Sequence, residues 1–106
     1  MPTDRVTSKE DILGILRNDS SQLRTFGVRR IGLFGSFVHG TQVDSSDVDL
    51  FVEFEPSKKT FDNFMGLSFH LEDRLGRRVE VVTSESLSPY IGPHILKEIE
   101  YVTLAA

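Results

Sequence analysis

Apolar positions along the chain recur with two alternating periods, and each change of period marks an element. Ile12, Leu13, Ile15, Leu16, Leu23 and Phe26 form a stripe at helical spacing. Ser8, with Asp11 three residues on, is close to a capping box, so a helix is predicted from about Lys9. Asn18-Asp19-Ser20-Ser21 weakens its middle, because short polar side chains compete for backbone groups, and predicts a break into two helices. Gly27 is a natural stop. The period then drops to two. In Val28 to Phe34, Ile31 and Leu33 share one face, and Gly32 and Phe34 the other. A short helix is expected after Ser36, ending at Gly40, and Thr41 to Ser46 is a polar loop. A second strand, Val48 to Phe54, puts Val48, Leu50, Val52 and Phe54 on one face; Asp47, Asp49, Phe51 and Glu53 take the other.

Thr60 can cap a helix whose stripe is Phe61, Phe64, Met65, Leu67, Ser68, Leu71 and Leu75, read as core, and Gly76 ends it. Arg77 to Val82 is the third strand, with Val79 and Val81 opposite Arg78, Glu80 and Val82. A short helical segment follows at Thr83-Ser84-Glu85, then an irregular link punctuated by Pro89 and Pro93. His94 to Ile99 is a last helical turn or two, and Tyr101 to Leu104 an edge strand. Residues 1–7 are expected to be a loose tail. Strand two, helix and strand three make a β-α-β unit, so those strands should be parallel. Strand one must run antiparallel to strand two if Gly35-Ser36 and the aspartates are to meet. The expected fold is mixed α/β (α+β): a small mixed sheet with helices packed on one face.

Composition narrows the class. A chain of 106 residues with 39% apolar content is expected to be one globular domain, 1–106, without room for a separate acceptor domain. With no Cys there is no disulfide framework and no thiolate metal site. No apolar run approaches a membrane span, and a cytoplasmic protein is expected. A net charge of −4 argues against broad nucleic-acid binding but not against a nucleotide.

Candidate chemistry concentrates in Gly35 to Phe54. A Gly-Ser turn between a strand and a helix start gathers free backbone N–H groups, which suits a phosphate. Asp47 and Asp49, at i and i+2 on a strand, share a face roughly 6–7 Å apart. That spacing suits hard divalent cations held by oxygen. Strand parity adds Glu80 to the same face. A phosphate cradle beside paired carboxylates points to metal-assisted phosphoryl or nucleotidyl transfer.

Gly35-Ser36-x3-Gly40-x5-Ser46-Asp47-x-Asp49-Leu50-x-Val52-x-Phe54 resembles the signature of the minimal nucleotidyltransferases of the DNA polymerase β superfamily. The resemblance extends more weakly from Ile12 to about Val102. It implies a polymerase β-like fold and catalytic, metal-binding carboxylates at Asp47, Asp49 and Glu80. It also implies two Mg²⁺ ions, with Mn²⁺ an alternative, and ATP or another NTP held near Gly35, Ser36 and Ser46. Ser46 would also order the turn before Asp47. The third carboxylate is usually aspartate in the family; Glu80 is one methylene longer. The resemblance further implies an antitoxin that transfers AMP to a HEPN-domain toxin. Self-association or association with a partner is left open.

Two rivals stand beside this. One is a binding module that neutralises a partner by occlusion, which Glu80 favours. The other, ranked low, is an accessory nucleotide- or antibiotic-modifying domain. His39, His70 and His94 lack ligand spacing and read as surface or structural; a nucleotide contact by His39 is a minority reading. Arg74, Arg77 and Arg78 read as a solvated helix end. Phe34, Phe51 and Val82 fall on the acidic face with no predicted helix over them.

Overall fold

The computed structural model describes residues 5–87 and 92–104. The elements run α1 (Lys9–Asn18), α2 (Ser20–Thr25), β1 (Val28–Phe34), α3 (Ser36–His39), β2 (Val48–Phe54), α4 (Phe61–Leu75), β3 (Val79–Val82), α5 (Gly92–Glu98) and β4 (Glu100–Val102). Single 3-10 turns lie at Pro56–Lys58 and Ser84–Ser86. The four strands make one mixed sheet in the order β3-β2-β1-β4. β1 is antiparallel to β2 and to β4, and β2 is parallel to β3. This is the mixed α/β sheet expected from the period changes. Among the described residues, no helix is long and apolar enough to cross a membrane.

Local chemistry sets the ends. The Ser8 hydroxyl accepts the Asp11 N–H at 3.2 Å, and the Asp11 carboxylate accepts the Thr7 N–H at 3.1 Å, so the cap closes one residue outside Ser8. Asp19 separates α1 from α2. The Thr60 hydroxyl caps α4 by accepting the Asn63 N–H at 3.1 Å, and Gly76 closes it in the left-handed region at φ 68°. α5 begins two residues earlier than expected, with Pro93 in its first turn, where proline costs no helical hydrogen bond. Pro89 lies outside the described residues.

The core lies between the helices and one sheet face. Ile12 and Leu16 of α1, Leu23 of α2, and Leu67, Leu71 and Leu75 of α4 are buried against Ile31, Leu33, Val48, Leu50 and Val52. Four expectations are corrected. Phe61 is not core: it is 77% exposed at the first position of α4, more than a turn ahead of Leu67, the first buried leucine. Residues 5–7 are not a loose tail: Val6 is 3% exposed and its N–H donates to the Leu75 carbonyl at 3.0 Å. Residues 1–4 lie outside the described residues. Phe34 and Phe51 are not bare: both are buried, and Tyr101 meets Phe51 edge-on with ring centroids 6.4 Å apart.

The fourth correction concerns the arginines. Arg74 does not end a solvated helix. Its Nε donates to Asp19 Oδ2 at 2.7 Å, and His70 Nε2 lies 3.1 Å from the same oxygen. The Asp19 side chain is only 10% exposed, so one carboxylate pins the α1–α2 break onto α4. Arg77 is buried, and β3 starts two residues later than expected, at Val79. Asp19→Ala should therefore lower unfolding free energy by about 2 kcal/mol in urea, because the partly buried Arg74 loses its partner. An unchanged midpoint would show that the network contributes nothing.

Candidate active site

β1 and β2 bring the two halves of the Gly35–Phe54 stretch together. Phe34, the last residue of β1, pairs with Asp49. Asp49 pairs on its other side with Glu80 of β3. Strand pleating therefore sets Asp47, Asp49 and Glu80 on one face, beside the turn that leaves β1.

That turn is built for close approach. Gly35 sits at φ 82°, a region that L side chains rarely adopt. A Cβ there would collide with Asp49 Oδ2 and lie 3.1 Å from Asp49 Cγ. The glycine is thus needed by the carboxylate as well as by any phosphate. Ser36 opens α3, whose first amides have no intrahelical acceptor. Val38 and His39 donate back to the Gly35 carbonyl at 3.1 and 3.2 Å.

Ser46 orders the approach to Asp47. Its hydroxyl accepts the Val43 N–H at 2.8 Å, and its own N–H donates to the Val43 carbonyl at 3.0 Å. The two bonds close the Val43–Ser46 turn from both sides. Val48 N–H then donates to the Arg78 carbonyl at 3.0 Å. Asp47 stands between these two fixed points and is half-buried.

Burial first, then the charge and hydrogen bond of Glu80, then the charge of Asp47, push the Asp49 carboxyl up to about 6. Glu80, paired with Asp49 across the two strands, is exposed rather than buried beneath the helices. Glu53, on the same sheet face, is different. Burial works against its charge, but Arg30 and Arg29 outweigh it and hold the carboxyl below its ordinary range. On this sheet face, among the described residues, the acids near Gly35 are left to repel one another. Oxygen donors that repel in this way fit a hard divalent cation, which would relieve the repulsion. Among the described residues, though, no three His, Cys, Asp or Glu side chains converge closely enough to hold a metal. A separate cavity of about 280 Å³, lined by Arg29, Glu53, Lys59 and Glu85, lies at the far end of β2. Its charges are already paired, Arg29 with Glu53 and Lys59 with Glu85.

This geometry has close relatives. The polymerase beta nucleotidyltransferase family matches residues 10–103. The chain belongs to that family. This nucleotidyltransferase is 43% identical over 94 residues to the protein adenylyltransferase MntA of Thermococcus cleftensis, across 88% of this chain and 94% of the relative. A solved structure provisionally described as a minimal nucleotidyltransferase superposes with a TM-score of 0.67 at 32% identity, covering 83% of this chain and 93% of the other. A toxin–antitoxin solved with AMP-PNP shares the fold at a TM-score of 0.64 and 22% identity, covering 93% of this chain and 75% of that one.

Sequence reasoning brought Gly35, Ser36, Ser46, Asp47, Asp49 and Glu80 to one end of the sheet, where the structure has them. It missed the close approach of the Asp49 carboxylate to Gly35, and it missed Arg77, whose side chain reaches the Asp47 loop. The signal was available for Arg77: it stands one residue after a helix-ending Gly76, where a side chain can turn back across the strand ends.

The nucleotidyltransferase should carry a pH signature of its own. Asp49 has an ordinary value of 3.8, and in the folded state it is raised to about 6. Between those values the folded state holds the extra proton, so stability falls as pH rises through the window. Above it the full penalty remains. Asp49→Asn should therefore be more stable than wild type at about pH 7.5 with chelator present, by about 1 kcal/mol after discounting for solvent screening. The difference should vanish below about pH 4. Urea unfolding at both pH values checks this; a variant less stable at the higher pH would contradict it.

Proposed function

We propose that this chain is a magnesium-dependent adenylyltransferase that passes AMP from ATP to a protein acceptor, a HEPN-type toxin, and so acts as an antitoxin. The observation that carries the reading is the placement of Asp49 between Glu80, its pair on β3, and the Gly35 turn. It sets repelling carboxylates beside a backbone that can take phosphate. The name of the Thermococcus relative, a protein adenylyltransferase, supports AMP as the transferred group and protein as the acceptor class.

Asp47, Asp49 and Glu80 would hold two Mg²⁺ ions, or Mn²⁺ in their place, which clamp the attacking and leaving oxygens when bound. The chain's own groups do the rest. Amides at the start of α3 and the Ser36 hydroxyl receive the β- and γ-phosphates. Ser46 supports the nucleotide site through the turn it closes. Glu80, exposed at the edge of the cluster, orients the acceptor hydroxyl and takes its proton. The hydroxyl oxygen bonds to the α-phosphorus, the bond from the α-phosphorus to the bridging oxygen breaks, and pyrophosphate leaves.

The rival reading is an occluding module. Two observations favour it: the longer Glu80, and three acids that do not converge on one metal position.

Labelled ATP with the cognate toxin separates the two. Asp49→Ala should abolish labelling, Glu80→Gln should cut it at least ~10-fold, and Glu80→Asp should retain it. Circular dichroism checks folding of each variant. Full toxin neutralisation by folded Asp47→Asn would favour occlusion instead.

A further inference from the structure

Arg77 is 7% exposed, and the acceptors of its hydrogen bonds are main-chain carbonyls. A buried guanidinium is costly unless its donors are satisfied. Here Nε donates to the Val6 carbonyl at 2.8 Å. Nη1 donates to the carbonyls of Asp44 and Ser46, both at 2.9 Å, with Val43 at 3.4 Å. The guanidinium carbon lies 5.1 Å from the ring centroid of Phe37, the residue after Ser36. One side chain thus touches the loop that leads into Asp47 and the helix that carries the phosphate turn.

The bracketing of Asp47 is close. Its preceding carbonyl, Ser46, is held by the Arg77 side chain, and its following amide, Val48, by the Arg78 carbonyl. Two neighbouring residues just before β3, Arg77 and Arg78, therefore fix Asp47 from both sides, a few residues ahead of Glu80.

We infer that Arg77 is a positioning residue for nucleotidyl transfer: it locks the Val43–Ser46 turn and α3 to the base of β3, so that Asp47 meets Asp49 and Glu80 in working register. This rests on the transferase reading proposed above. The role needs a planar fork that reaches several carbonyls while stacking on a ring. A lysine ammonium keeps the charge but not that geometry. The Gly35–Ser36 turn closes on its own backbone bonds, so the loss should fall more on the chemical step than on nucleotide binding.

The test uses the full chain with Arg77→Lys, and Phe37→Leu as a second variant that leaves the guanidinium in place. Arg77→Lys should lower kcat by ~10–100-fold, the scale set by a misplacement of about 1 Å, while KM for ATP rises by a smaller factor. Phe37→Leu should shift kcat in the same direction by less. Hydrogen exchange gives a readout free of activity. The Ser46 amide should exchange at least ~10-fold faster in Arg77→Lys, while Ile31 and Leu50 in the sheet keep their protection. Unchanged Ser46 exchange, unchanged kcat in folded Arg77→Lys, or loosening spread evenly through the sheet would overturn the inference. If wild type itself labels no acceptor, the transferase reading falls separately, and Ser46 exchange alone decides whether Arg77 fixes the loop.

Discussion

The pairing of Phe34 with Asp49 is the constraint on which the rest depends. It ends β1 where β2 has only begun, so the turn at Gly35 lands on an aspartate carboxylate. A slip of one residue would turn Asp49 into the helix-packed core and Leu50 out of it. The buried alternation of Val48, Leu50 and Val52 forbids that slip, because each is fully buried. Core packing and the placement of Asp49 are thus specified by the same strand. The parallel register of β2 with β3 then adds Glu80 beside Asp49 without further machinery.

Electrostatics divides the sheet face into two regions. At one end Glu53 is matched by Arg29 and Arg30, and Arg30 also lies 4.1 Å from the centroid of the Tyr101 ring. That end is neutralised and packed. At the other, Asp49 and Glu80 share a boundary with no cation among their described hydrogen-bond or ion-pair partners. Charge that a fold leaves unbalanced costs stability, and such sites commonly mark function. Arg77 shows the opposite arrangement: a buried cation whose charge is spread over carbonyl oxygens, which leaves the nearby carboxylates free for other ligands.

Much of this was legible in the sequence. β1 and β2 have the ranges that their alternation predicts, and the α1–α2 break falls in the polar run at Asn18–Ser21. Period-two patterning and glycine stops are local signals, and local signals set these elements. What sequence could not supply is what long side chains do across the fold. Arg74 and Arg77 look like helix-end charges until Asp19 and the Asp47 loop come within reach of them. Phe61 fits a core stripe by residue type, yet it stands at the first turn of α4, ahead of the buried leucines. Val6 lies in a terminal segment and is held because Leu75 offers a carbonyl from 69 positions away and Arg77 donates to the Val6 carbonyl. Glu80 was found by strand parity and by its match to the family's third carboxylate, but its place beside Asp49 needed the strand register.

The central claim is that the acids beside Gly35 form a nucleotide site completed by a divalent ion. Calorimetric titration of ATP into the chain, with and without Mg²⁺, tests it most directly. The account predicts that Mg²⁺ strengthens ATP binding in wild type. An Asp47→Asn, Asp49→Asn double variant should lose that strengthening while remaining folded, because the carboxylate charges that hold the ion are gone. Equal ATP affinity in wild type and the double variant, with Mg²⁺ present, would contradict it.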